Sequence, residues 1–328
     1  HVRYAHARRD HRGEGLHRQM SLRKSGRGRF RLLASLLAAA LLLLPCPAFA
    51  DEAQDTLDET LEELFERYRL TERNFALGFR ALSDGTEYWY NADKLFETAS
   101  LYKLPLNMYF YELEAAGEIA PDEPIYGVPL DLCHEQSLVY SNNELSHNMI
   151  DWIGTYRDFK DIAFGYTGLD ESERDQDYYA CGGFSARMMV GILQTLYDDP
   201  DTFGQAIEYL KEAQPGQYLE SGECGLEVAQ KYGYEYYDEI LNVCIAGIVY
   251  TDEPFLITVL TRGVGGAGNL MGELCDAFAA YEQTRERVEP EPPDIAAECP
   301  DEQISAIIND ALKFVLRLTP FAFAAGMI

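Results

Sequence analysis

The sequence has few of the residues on which metal-dependent and histidine-dependent catalysis rest. Histidine occurs six times in 328 residues, and only His134 and His147 lie beyond residue 50. The cysteines show no C-x-x-C spacing, so a zinc site is not expected. No G-x-S-x-G sequence is present, which argues against a Ser-His-Asp triad on a nucleophile elbow. We therefore expect neither a metal nor another cofactor.

Basic residues are also scarce once the first 50 residues are set aside. Residues 51–328 contain 17 Lys and Arg and 53 Asp and Glu, a formal charge of −36. Such a surface repels phosphate backbones and anionic membranes, so binding to nucleic acid is not expected. Apolar residues nevertheless make up 47% of the chain, which is enough for a large packed core.

Residues 1–50 are predicted to be upstream residues followed by a signal peptide. The signal peptide would start at Met20 with a basic stretch and continue through the apolar run Leu32 to Leu44. Ala48-Phe49-Ala50 then fits an A-x-A cleavage site. The apolar run is too short to cross a bilayer. The sequence therefore indicates an exported protein, located outside the cell, in the periplasm or in the cell envelope.

Six cysteines follow this segment, and an even number in an exported chain permits up to three disulfide bonds. They are Cys133, Cys181, Cys224, Cys244, Cys275 and Cys299. The sequence leaves their pairing open.

Hydrophobic periodicity predicts sheet residues at both ends of one domain, residues 51–285. An amphipathic helix over 51–70 is followed by a hairpin of the strands 74–82 and 86–90. Helical patterns, which include 143–153, 185–197 and 203–213, then fill an inserted lobe over about 101–220. The remaining predicted elements are strands at 228–234, 242–250 and 254–261 and a helix at 269–285. This order predicts an α/β (α+β) fold whose cleft lies between the sheet and the helical lobe.

The C-terminal residues are predicted to form a linker and one more helix. Residues 286–300 are rich in Pro and Glu and indicate a stiff linker. Residues 301–328 have an apolar face interrupted by Lys313 and Arg317, so this helix is not expected to cross a membrane. We expect it to dock on the domain or to lie at an interface.

Ser100-Leu101-Tyr102-Lys103 fits the pattern S-x-x-K. On a helix, residues three apart share a face, so the lysine amine can reach the serine hydroxyl. A desolvated lysine near another cation can lose its proton and act as a base. The pattern therefore predicts Ser100 as a nucleophile and Lys103 as its base.

Ser141-Asn142-Asn143 fits S-x-N on a loop that opens a predicted helix. The Ser141 hydroxyl would relay a proton to the leaving group, and the Asn143 amide would hold an amide of the substrate. Both residues lie in the predicted helical lobe, which forms one wall of the cleft.

Lys231-Tyr232-Gly233 fits K-x-G on the first of the returning strands. An edge strand at this place could lie along an acyl substrate. Lys231 would attract the carboxylate of the substrate, and Gly233 would allow close approach of the backbone.

Together these motifs resemble those of the serine β-lactamase and penicillin-binding superfamily, closest to class A, over about residues 51–285. The resemblance implies a mainly antiparallel five-stranded sheet flanked by terminal helices. It implies that Ser100 is acylated by a β-lactam, peptide or ester carbonyl, so the partner would be a small-molecule or peptidoglycan-like acyl substrate. It also implies an oxyanion hole formed by the backbone N–H groups of Ser100 and Tyr234.

Two departures from the family pattern bear on turnover. Tyr232 stands where the family usually has Thr or Ser, so a small hydroxyl that helps to bind a β-lactam carboxylate is missing. Between Gly168 and Gly183 there is no E-x-x-L-N pattern, whose glutamate activates the deacylating water. Glu171 and Glu173 are interpreted as exposed loop charges. We expect an acyl-enzyme that persists, as in a penicillin-binding DD-peptidase or transpeptidase.

Three alternatives remain open at this stage. Tyr140-Ser141-Asn142 also fits Y-x-N, the pattern of class C enzymes and esterases. Residues 263–268 contain G-x-G-x-x-G between a strand and a helix, although a dinucleotide-binding unit needs a parallel strand after that helix. The chain could also be a non-catalytic binding protein that kept the fold.

Overall fold

A computed structural model describes residues 52–174 and 176–285. Within these residues five strands form one antiparallel sheet in the order β2-β1-β7-β6-β5. The strands are β1 (Phe75–Ala81), β2 (Glu87–Tyr90), β5 (Glu227–Tyr237), β6 (Ile240–Tyr250) and β7 (Phe255–Arg262). A small hairpin in the helical lobe pairs β3 (Pro124–Ile125) with β4 (Val128–Pro129). The predicted fold, an antiparallel five-stranded sheet with flanking helices, is confirmed.

Helices precede, interrupt and follow this sheet. They are α1 (Glu52–Tyr68), α2 (Lys103–Ala115), α3 (Leu130–Leu138), α4 (Asn143–Ile153), α5 (Tyr156–Gly165), α6 (Gln176–Ala180), α7 (Ala186–Asp198), α8 (Pro200–Lys211) and α9 (Ala267–Thr284). Short 3₁₀ helices cover Ala99–Tyr102, Glu171–Glu173 and Tyr218–Ser221. The helices from α2 to α8 form the lobe that was predicted between the two groups of strands.

Two apolar cores lie on opposite faces of the sheet. Along β7, Phe255, Ile257 and Val259 belong to the core that α1 and α9 cover. Leu256 and Leu260 belong to the core that the helical lobe covers. Because alternate side chains of a strand point to opposite faces, a strand buried on both faces is apolar throughout. The sheet is therefore the central layer, and its lobe-facing side forms one wall of the cleft.

The glycine-rich segment after β7 is a structural turn. Gly263 N donates a hydrogen bond to Leu241 O at 2.7 Å, and Gly266 adopts a left-handed conformation (φ 75°) where α9 begins. Among the described strands, β7 runs antiparallel to both of its neighbours. A dinucleotide-binding unit requires parallel strands around its glycine motif, so this alternative is excluded.

Several sequence-based predictions fall outside the described residues. These are the signal peptide, the linker, the C-terminal helix and Cys299. The five cysteines within 52–174 and 176–285 carry free thiols. No helix in these ranges is both long and apolar enough to span a membrane, and no group of three or more metal-binding side chains is found in them.

A buried ion cluster fastens the end of α9 to the β1–β2 turn. Arg285 donates to Asp84 at 2.6 and 3.0 Å and to Glu282 at 2.7 and 3.0 Å. Only 1 to 4% of each of these three side chains is exposed. The guanidinium holds the pKa of Asp84 well below its usual range, although burial opposes this effect.

Replacing Arg285 by methionine is expected to lower the free energy of unfolding by about 3–5 kcal/mol, because two carboxylates would stay buried without their cation. Urea unfolding of the purified domain measures the loss. Arg80→Met is the matched control, since Arg80 pairs with Glu87 at about one-third exposure and its loss should cost at most about 1 kcal/mol. Equal losses of unfolding free energy in the two variants would contradict the stabilising role of the buried ion cluster.

Candidate active site

Ser100 lies on a sharp turn where the chain enters the helical lobe. It belongs to the 3₁₀ helix Ala99–Tyr102, which leads directly into α2. The preceding residue, Ala99, has a left-handed backbone conformation (φ 49°), which is strained for a residue with a side chain. Ser100 is half-buried at the edge of the cleft. A strained turn under a partly exposed serine is a typical setting for a nucleophile.

Lys103, the first residue of α2, is fully buried beneath this turn. Its Nζ donates to Ser141 O at 2.5 Å, to Asn143 Oδ1 at 2.6 Å and to Ser141 Oγ at 3.1 Å. Burial lowers the pKa of Lys103 to about 8, against the opposing charge of Glu235. Roughly a tenth of the amine is therefore neutral at pH 7, and a general base must be neutral to accept a proton.

The S-x-N motif is placed by the N-terminus of α4. Ser141 has a left-handed conformation (φ 56°) that directs its carbonyl and hydroxyl to Lys103. The side chain of Asn142 caps α4 by accepting from Leu145 N at 3.1 Å. The Asn143 side chain instead accepts from Lys103. This division of roles fits S-x-N rather than Y-x-N, and Tyr140 is exposed.

A second lysine reaches the same serine. Lys231 Nζ donates to Ser141 Oγ at 3.2 Å and to Tyr232 O at 3.0 Å. Lys231 is fully buried, and this burial together with the charge of Lys103 holds its pKa well below the usual range. The Ser141 hydroxyl therefore lies between two buried amines whose pKa values are lowered, and it is within hydrogen-bond distance of both.

Gly233 brings β5 against the nucleophile turn. A Cβ atom at this position would collide with Thr98 O and would lie 3.1 Å from Ser100 N. β5 can approach the Ser100 turn this closely because Gly233 has no side chain. The backbone of Tyr234, the next residue, continues along the same edge of β5. The Tyr234 side chain itself is exposed and contacts Tyr236 edge-on.

Tyr232 covers the amine of Lys231. Its ring lies 4.1 Å from Lys231 Nζ and stacks on Tyr218 with ring centroids 5.5 Å apart. Its hydroxyl accepts from Gln214 Nε2 at 3.2 Å. The tyrosine thus occupies the place of the small hydroxyl in the family motif with a fixed, half-buried ring.

The two loop glutamates are engaged at the surface. Glu171 forms an ion pair with Arg174 at 2.5 Å and is 70% exposed. Glu173 Oε1 accepts from Asp170 N at 3.2 Å. These contacts agree with their interpretation as loop charges. They are made to residues of the loop itself and not to Ser100, Lys103 or Ser141.

The motifs did not indicate two further carboxylates, Glu97 and Glu235, and the charge of Glu235 raises the pKa of Lys103 against the effect of burial. Glu97 lies three residues before Ser100, and its carboxylate packs against Gly182. Burial raises the pKa of Glu97, and the charge of Glu235 raises it further, against the Gly182 N–H and Lys160. The signal for Glu235 was available in the sequence, since it follows Gly233 by two residues and so shares its strand face.

Replacing Gly233 by alanine is expected to lower the acylation rate by on the order of 100-fold, because the added Cβ forces β5 away from Ser100 N. The rate of covalent labelling measures this. Gly268→Ala is the control, since a Cβ there meets no atom within 4 Å. An unchanged labelling rate in the Gly233 variant would show that the close approach is not needed.

Comparison with known proteins agrees with this architecture. The family model described as the β-lactamase enzyme family matches residues 56–127. A β-lactamase from Xanthomonas campestris pv. campestris is similar in structure, with a TM-score of 0.59 and 14% identity over 70% of this chain and 98% of that chain. A search of curated proteins gives no match.

Two further solved β-lactamases show the same likeness. One from Burkholderia vietnamiensis has a TM-score of 0.58 and 14% identity, covering 69% of this chain and 96% of that chain. One from Chitinophaga pinensis has a TM-score of 0.57 and 16% identity, covering 69% and 98%. At these identities the likeness is one of fold. The chain has the class A β-lactamase-like fold, as its sequence predicts.

Proposed function

We propose that this protein is an exported active-site serine hydrolase in which Ser100 is acylated by a β-lactam, peptide or ester carbonyl. The observation that carries the proposal is the buried amine of Lys103, which is linked by hydrogen bonds to Ser141 and Asn143 directly beneath the Ser100 turn. Burial of this amine costs stability, and its position beside the S-x-N motif in the cleft, together with its lowered pKa, favours a chemical role. Export is proposed from the leader over residues 20–50.

In the proposed acylation Ser100 is the nucleophile, Lys103 is its base and Ser141 donates the proton to the leaving group. Ser100 Oγ attacks the carbonyl carbon while its proton passes to the neutral amine of Lys103. The oxyanion that develops is stabilised by the backbone N–H groups of Ser100 and Tyr234. When the bond to the leaving group breaks, the Ser141 hydroxyl donates a proton to it and regains one from the Lys103 ammonium. The amine is then neutral again, and Ser100 carries the acyl group.

Deacylation is the step that separates a hydrolase from a transferase. The surface contacts of Glu171 and Glu173 favour slow activation of water, so the acyl-enzyme should be long-lived. A long-lived acyl-enzyme can be intercepted by an amine. A penicillin-binding DD-peptidase or transpeptidase activity is therefore the second candidate, and an added D-amino acid should shorten the lifetime of the adduct if that activity is present.

Incubation of the protein with a fluorescent penicillin or an ester acyl donor, followed by intact mass and peptide mapping, tests the proposal. We expect one acyl group, on the peptide that contains Ser100, with loss over minutes or longer. No adduct with any donor would favour the non-catalytic binding protein. Rapid loss of the adduct in water would instead contradict slow deacylation and leave acylation intact.

A further inference from the structure

The lysine expected to recognise a substrate carboxylate is closed off. Lys231 is fully buried, and its amine donates to Ser141 Oγ and to Tyr232 O. The Tyr232 ring lies over the same nitrogen at 4.1 Å. Two N–H groups of this K-x-G lysine are therefore engaged by oxygens of the protein, and the Tyr232 ring covers the amine.

A negatively charged residue, Glu235, lies on the same face of β5 as Lys231. Side chains two residues apart on a strand point to the same side, so Glu235 follows Lys231 and Gly233 along the face that meets Ser100. Burial raises the pKa of Glu97 and Tyr102 and lowers the pKa of Lys103. In all three cases the charge of Glu235 is a second, smaller effect that raises the pKa. Gly233, two residues before Glu235, lies directly against the backbone of Thr98 and Ser100, so the same strand face carries the Glu235 charge toward the nucleophile turn.

We propose that the Ser100 site selects acyl donors with a cationic acyl group and discriminates against acyl donors that carry a carboxylate, with Glu235 as the specificity-determining residue. This inference rests on the proposed acylation of Ser100. An ammonium on the acyl chain meets the Glu235 carboxylate at the cleft wall, and the half-buried Glu97 adds to the same potential. A carboxylate in that position is repelled by both and finds Lys231 covered.

Three p-nitrophenyl esters with acyl chains of similar size test the proposal. Their chains end in a trimethylammonio group, a tert-butyl group or a carboxylate, and release of p-nitrophenolate gives kcat/KM for each, after subtraction of the rate with Ser100→Ala. We expect the order cationic, neutral, anionic, with about a tenfold span between the extremes at low salt. Added salt should compress the span, because exposed charges are screened.

Glu235→Gln should reduce the ratio of cationic to anionic ester by about two- to fivefold, the effect of one exposed charge. Glu239→Gln is the matched control, since it removes the same charge from the exposed turn of the β5–β6 hairpin and should leave the ratio unchanged.

Two results would overturn the inference while acylation stands. These are an anionic ester that reacts as fast as the cationic one, and equal changes of the ratio in the Glu235 and Glu239 variants. If none of the three esters reacts in a Ser100-dependent manner, the proposed acylation itself is wrong, and the inference falls with it.

Discussion

Ser100→Ala is expected to abolish covalent labelling and to lower ester turnover by at least about 10³-fold, because no acyl group can be carried without the Oγ atom. The serine is only half-buried and lies on a turn held by backbone contacts, such as Leu101 N to Thr98 O at 3.2 Å. Its loss should therefore change the stability of the fold by less than about 0.5 kcal/mol. Intact mass after incubation with acyl donor measures labelling, and urea unfolding measures stability.

Ser83→Ala is the matched control for this variant. Ser83 is exposed in the turn between β1 and β2, which is not part of the helical lobe. Its replacement should leave labelling at the wild-type rate. Labelling of the Ser100 variant at the same site occupancy as the wild type would place the nucleophile elsewhere and remove the basis of the proposed mechanism.

Lys103→Met should lower the acylation rate by about 10² to 10⁴-fold, the usual contribution of a positioned general base. The wild-type rate should depend on pH through the same amine. Burial lowers the pKa of Lys103 from 10.5 to about 8, so roughly a tenth of the amine is neutral at pH 7. The rate should rise about tenfold per pH unit below pH 7 and level off above pH 8.

Lys160→Met provides the matched control, because Lys160 is a second buried lysine whose pKa burial also lowers to about 8. Its Nζ donates to Gly183 O at 2.6 Å and lies over the ring of Tyr178 at 3.7 Å, away from Ser141. The variant should lose stability and keep the pH midpoint of acylation. A midpoint near 8 that persists in Lys103→Met would show that another group is the base.

The elements predicted best are those with a strong and regular apolar pattern. The predicted strands at 242–250 and 254–261 correspond closely to β6 and β7, which are apolar on both faces because both are covered. The predicted helix at 143–153 coincides with α4. Buried faces impose the period of the element on the sequence, and the period can be read directly.

The lobe helices α3 and α5 were not predicted, for an identifiable reason. α3 spans nine residues and starts after Pro129 without a side-chain cap, so little in its local sequence marks it. α5 has a capping box formed by Thr155 and Asp158, which is a usable signal, but only four of its ten residues are buried. Short helices of this kind are stabilised by their tertiary contacts more than by their own pattern.

The identity and order of the reactive groups are properties of the sequence by itself. Ser100 and Lys103 are three residues apart, a spacing that puts them on one face of a helical turn without any distant contact. The S-x-N and K-x-G motifs, the absence of the E-x-x-L-N pattern and the α/β order of elements are likewise local features. They were sufficient to predict the fold and to nominate a nucleophile.

Only the tertiary structure decided how those groups are charged and what they meet. Lys103 and Lys231, which lie 38 and 90 residues from Ser141 in the chain, both donate to its hydroxyl, with Nζ to Oγ distances of 3.1 and 3.2 Å. The pKa of each lysine follows from its burial, and burial is set by packing between the sheet and the lobe. The cover of Tyr232 over Lys231 and the field of Glu235 at Ser100 arise in the same way, because electrostatic effects depend on distance through space and on excluded water rather than on separation along the chain.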